Sequence, residues 1–97
     1  VHVADTLNTL GNAFGNLGEY KKQKDLLERA LLIYEREYGP EHRDTADTLG
    51  SLGNAYGDLG DAGRSRDLLE RALAIQVSGF DPKYFQVPLH GPRSAVE

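Results

Sequence analysis

An internal duplication constrains this chain more than any other feature. Sliding the sequence by about 42 residues lays Val3 to Asp44 on Thr45 to Gln86 with roughly 20 identical positions. The shared blocks are ADTL, LGNA, LG and DLLERAL, together with Pro40 and Pro82, while the sequence diverges after Ile33 and Ile75. A unit of that length is one supersecondary element. It cannot bury its apolar face alone, so the two copies must stack on one another.

Each unit reads as a pair of helices. In the first, Leu7, Leu10, Phe14 and Leu17 recur at three- and four-residue steps, which places them on one helical face. Gly18 ends that helix where the chain needs a positive φ. Tyr20 opens a second helix carrying Leu26, Leu27, Ala30, Leu31, Ile33 and Tyr34. Tyr38-Gly39-Pro40 stops it, and Asp44 followed by Asp47 predicts an amino-terminal cap with a carboxylate near the positive end of the next helix dipole. Leu49, Leu52, Tyr56, Leu59 and Gly60, then Leu68, Leu69, Ala72, Leu73 and Ile75, repeat the scheme.

These blocks resemble the tetratricopeptide repeat, in the roughly 42-residue variety found in kinesin light chains. The resemblance rests on Leu10-Gly11 with Phe14 and Gly18, Leu52-Gly53 with Tyr56 and Gly60, and the two ERAL blocks, Glu28 to Leu31 and Glu70 to Leu73. It implies an all-α, right-handed helical-hairpin solenoid of two repeats with four antiparallel helices, followed by a non-repeat tail. The expected division is 1-44 and 45-78 for the repeats and 79-97 for an extended, proline-containing C-terminal tail. Two departures fall at packing positions. The small residue that the family carries early in the second helix is Gln23 in one unit and Ser65 in the other, and the YGPEH loop has the altered counterpart Phe80-Asp81-Pro82-Lys83-Tyr84.

A third unit does not follow. VPLHGPRSAVE puts Pro88 and Pro92 where a first helix needs free backbone donors. Phe80, Tyr84, Phe85 and Leu89 nevertheless make the tail apolar enough to want a surface, either the last helix of the array or a partner chain. Two repeats are fewer than the roughly three that such arrays usually need. A closing tail, self-association, a longer array or a larger complex would each make up the difference.

Composition narrows the partner. Eleven Lys plus Arg against fifteen Asp plus Glu give a net charge of −4, and no basic block is available to neutralise a phosphate backbone or an anionic membrane. Nucleic acid is not an expected partner, and neither is direct membrane insertion, since no apolar run approaches the roughly 18–20 residues of a span. No targeting signal is visible, and an intracellular soluble setting is the expectation. The absence of cysteine removes thiolate chemistry and sulfur-ligated zinc. His2, His42 and His90 are not paired at ligand spacing, so no metal, cofactor or catalytic residue is expected, and the chain does not read as an enzyme. His42 reads as a loop residue that packs or hydrogen-bonds. LGNAFGNLG lacks the preceding strand and the following lysine of a phosphate loop.

Glycine costs about 1 kcal/mol against alanine inside a helix, so Gly11 and Gly53 are expected where two helices approach closely. Glu28 with Arg29 and Glu70 with Arg71 read as a solvated face with ion pairs between repeats. By the resemblance, the inward-turning face of the first helices binds peptides. It would comprise Asp5, Asn8, Asn12, Gly15 and Asn16 in one unit, and Asp47, Gly50, Asn54, Gly57 and Asp58 in the other. Asn12 and Asn54 match the position where an asparagine grips a ligand backbone, an amide being able both to donate and to accept. Gly15 and Gly57 would floor the groove. The position at which chaperone-binding members carry basic residues is Asn8 here and Gly50 in the second unit, so a basic or neutral extended peptide is expected rather than a terminal carboxylate. The reading is a protein-interaction scaffold that binds a partner polypeptide through this face or through the tail. The alternative is a small structural accessory subunit of a larger assembly.

Overall fold

The computed structural model describes residues 2–78. Four helices follow one another: α1 (His2–Asn16), α2 (Tyr20–Tyr38), α3 (Arg43–Asp58) and α4 (Ala62–Ser78). α1 packs on α2, α3 on α4 and α2 on α3, so two hairpins stack through the second helix of one and the first helix of the next.

The two hairpin turns are built alike. Gly18 and Gly60 take φ of 81° and 91°, the left-handed region that glycine enters without penalty. Each turn is closed across the glycine by a backbone bond, Glu19 N–H to Phe14 O at 2.9 Å and Asp61 N–H to Tyr56 O at 2.8 Å. The residue that follows differs between units. Asp61 Oδ1 accepts from Arg64 N–H at 3.1 Å and so caps α4, whereas Glu19, one methylene longer, makes no cap bond and pairs with Lys22 at 3.1 Å instead.

Between hairpins, Gly39 turns the chain at φ 93° and α3 begins at Arg43. The cap of α3 is His42, not the expected Asp44: imidazole Nδ1 accepts the Asp44 N–H at 3.0 Å. Asp44 lies inside the first turn, where its charge favours the helix dipole. The His42 ring also stacks on Tyr38, with centroids 4.2 Å apart, which fixes the loop against the end of α2. Thr45 Oγ1 donates to Gly39 O at 3.0 Å and draws α3 up to the turn.

The core is thin and rich in small residues. Ala4, Ala30 and Tyr34, with Leu7 and Ile33, fill the first hairpin. Ala46, Leu49, Ala72 and Ile75 fill the second, where Leu31 of α2 and Leu68 join them, so this cluster crosses the boundary between the units. The helices of each hairpin meet at Gly11 and Gly53, as expected. A methyl group built on Gly11 lies 3.2 Å from Leu27 Cγ, and one on Gly53 lies 2.9 Å from Leu69 Cγ.

Candidate functional site

α1 and α3 lie side by side, joined by Thr48 Oγ1, which donates to Asn8 Oδ1 at 3.3 Å. This pair of helices carries the face on which the sequence places partner-binding residues. The structure divides those residues into two groups.

Four of them face a neighbouring helix, while Gly50 has open space beside it. The Asp5 carboxylate accepts the Tyr34 hydroxyl of α2. Asn8 is held by Thr48 at the boundary between units. Gly15 does not floor an open groove, since its Cβ direction points into the Gln23 side-chain amide. Gly57 is exposed; its Cβ direction lies 3.2 Å from Ser65 Oγ, and with Ser65, Leu69 and Leu73 it borders a shallow depression against α4. The reason at Gly15 is steric exchange. Gln23 stands where the repeat wants a small residue, so its buried amide fills the space above Gly15, leaving Oε1 without a hydrogen-bond partner. Asp47 is exposed and makes no side-chain hydrogen bond among the described residues; with Arg43, Ala46, Leu73, Ile75 and Val77 it lines a groove of ≈ 720 Å³ at the end of the second hairpin. The Tyr34 that would have engaged it is Gln76 in this unit.

Asn12, Asn16, Asn54 and Asp58 form the other group. Asn12 is half-buried and the other three are exposed, and none makes a side-chain hydrogen bond among the described residues. Asn12 and Asn54 occupy the same position of successive first helices, so two unengaged amides stand on neighbouring elements. The expected tail contacts, Phe80, Tyr84, Phe85 and Leu89, lie outside the described residues.

Sequence reasoning missed a second feature. On the other side of the stack, Leu31, Leu32, Leu52 and Leu68 line an apolar groove of ≈ 550 Å³ rimmed by Glu28, Arg64, Asp67 and Arg71. Its rim holds the units together. Tyr56 donates its hydroxyl to Glu28 Oε2 at 2.5 Å, and Arg71 pairs with Glu35 at 3.2 Å. The signal was present as differences between the copies, since Tyr56 and Glu35 stand where the other unit has Phe14 and Val77.

Electrostatics follow these contacts. The Tyr56 phenol is held above its ordinary value by its bond to Glu28 and then by burial; the Tyr34 phenol is raised by burial first and by Asp5 second. Lys24 is raised through its contact with Asp25, with Glu28 adding to the effect. Among the described residues no cluster of three or more His, Asp or Glu is arranged to hold a metal ion, and no helix is long and apolar enough to cross a membrane.

The comparisons agree with the geometry. No curated protein gives a significant match to the chain. The family profile described as tetratricopeptide repeat matches residues 2–76, the span of all four helices to within two residues. Members of that family generally mediate protein–protein interaction. With two hairpins stacked α2 on α3, glycine contacts at Gly11 and Gly53 and the profile match over most of its length, the chain belongs to the tetratricopeptide-repeat family.

Proposed function

We propose that the chain is a non-catalytic interaction module that takes an extended segment of a partner protein across the α1/α3 face. The observation that carries this reading is the pair Asn12 and Asn54, repeated in register and without intramolecular hydrogen bonds among the described residues. An amide in that setting pairs with both the N–H and the C=O of a peptide backbone, so affinity would come from the main chain. Asp58 with Asn16 makes the carboxyl-terminal end of the face acidic to neutral, which favours a segment without excess negative charge.

Panning a random peptide library on the immobilised full chain tests the reading. Enriched peptides should be neutral or basic and should bind the Asn12→Ala/Asn54→Ala variant at least about tenfold more weakly, the loss expected from two net hydrogen bonds. Peptides whose binding ignores the double substitution would place the site elsewhere, and the apolar groove of Leu31, Leu32, Leu52 and Leu68 would be the next to probe.

A further inference from the structure

The duplication allows the outer faces of α1 and α4 to be compared with the buried boundary between units. At that boundary α3 presents Thr45, Thr48, Leu52 and Ala55, all buried. The same positions of α1 are Val3, Thr6, Leu10 and Ala13. Leu52 is 3% exposed and Leu10 46%. On the opposite side of the boundary α2 presents Leu27 and Leu31, whose counterparts on α4 are the identical Leu69 and Leu73. Leu27 is 0% exposed and Leu69 39%. The outer faces of α1 and α4 therefore repeat the two halves of the internal boundary, with Leu10, Ala13, Leu69 and Leu73 identical to Leu52, Ala55, Leu27 and Leu31.

The polar half of the boundary is not duplicated. Tyr56 to Glu28 becomes Phe14 opposite Glu70, which removes the hydroxyl. Arg71 to Glu35 becomes Arg29 opposite Val77, and Thr48 to Asn8 becomes Thr6 opposite Gly50. None of these changes buries an unpaired charge, because Glu28 and Arg71 remain 42% and 49% exposed where they stand in the internal boundary. The loss is of attraction and of register only.

We propose that the outer faces of α1 and α4 form a head-to-tail seam between copies of this chain, apolar and reversible, and weaker than the internal boundary because its three polar pairs are absent. Such a contact is heterologous, so a dimer formed through it still presents one free face at each end for further copies. Each addition extends the row of first helices, and a partner with several binding segments would then meet several copies of the α1/α3 face.

Sedimentation of the full chain over a range of concentrations tests the seam. The expected result is a weight-average mass that rises with concentration without a plateau at the dimer. Leu10→Glu should abolish the rise while leaving helicity unchanged, since Leu10 is exposed in the single chain. The triple variant Phe14→Tyr/Gly50→Asn/Val77→Glu restores the missing pairs, and Gly50 has open space for a side chain. It should tighten association by about tenfold or more. A wild-type chain that stays monomeric overturns the proposal, even if the triple variant associates. So does a mass that stops at the dimer, or association that Leu10→Glu leaves intact. If self-association appears only after removal of residues 79–97, that segment is the occupant of the α4 face and the proposal falls. Peptide binding that depends on Asn12 and Asn54 is a separate readout, so this proposal and the preceding one can fail independently.

Discussion

Tyr34 and Tyr56 each donate a hydroxyl to a carboxylate on another helix, one inside the first hairpin and one across the boundary. Neither bond has a copy at the matching position, Gln76 for Tyr34 and Phe14 for Tyr56. Both bonds need the phenolic proton, and both phenols are held above the ordinary value of 10. A group that keeps its proton more tightly in the folded chain contributes stability that is complete below its unfolded pKa and lost as pH rises through the folded one. Above about pH 10 the unfolded chain releases phenolic protons that the folded chain retains, so stability should decline there as pH increases. Denaturant unfolding between neutral and alkaline pH checks this, and Tyr56→Phe should flatten part of the decline. Tyrosinate absorbance gives an independent reading: Tyr34→Phe and Tyr56→Phe should each remove absorbance change from the alkaline end of the titration. A single titration near the ordinary phenol value would remove the argument.

Helix contacts distinguish glycines that the sequence treats alike. Gly50 and Gly53 both lie in the interior of α3, where glycine costs about 1 kcal/mol against alanine. Nothing lies within 4 Å of a methyl group at Gly50, whereas at Gly53 it meets Leu69 Cγ at 2.9 Å and the Ser65 carbonyl at 3.2 Å. Gly50→Ala should therefore stabilise the chain by about 0.5–1 kcal/mol, and Gly53→Ala should destabilise it by about 1–3 kcal/mol, measured by denaturant midpoints. Equal effects would mean that α3 and α4 are not in close contact. The role of Gly53 was legible in the sequence because a helix-period stripe puts it, like Gly11, on the packed side. The orientation of Gly15 and Gly57 was legible on the same ground, because four residues turn a helix by about 400° and leave them within about 40° of Gly11 and Gly53; what no local pattern gives is that the buried amide of Gln23 occupies the space beside Gly15. The cap shows the same limit. Asp44 has the right chemistry for the amino terminus of α3, but His42 accepts the Asp44 N–H because the chain leaves Gly39 through Pro40 with its imidazole already stacked on Tyr38. The hairpins, their turns and the helix order follow from periodicity and glycine placement. Which face residues remain free depends on partners 28 to 40 positions away, such as Tyr56 for Glu28 and Thr48 for Asn8, which no local pattern encodes.

At the scale of the molecule, a stack of two hairpins has one internal boundary, and its stability rests on hairpins that are marginal alone plus the coupling between them. That coupling is concentrated. Leu49 is fully buried in the cluster that Leu31 of α2 enters from the other unit, while the first hairpin's own cluster of Ala4, Ala30 and Tyr34 contains no residue of α3 or α4. Leu49→Ala leaves a cavity at the point where the units meet and should cost about 2–5 kcal/mol, a large share of the stability of a domain this small. The location of the effect is more informative than its size. If the boundary carries the coupling, amide exchange in α1 and α2 should accelerate together with that in α3 and α4, although the substitution lies in the second hairpin alone. Ile33→Val, in the first hairpin's cluster, removes one methylene away from the boundary and should cost about 0.5–1.5 kcal/mol. Because the loss again reaches the partner through the intact boundary, exchange should rise across all four helices by a smaller and uniform amount. Exchange that rises only in α3 and α4 after Leu49→Ala would show that the two hairpins unfold independently, and the chain would then behave as two adjacent units rather than one cooperative stack.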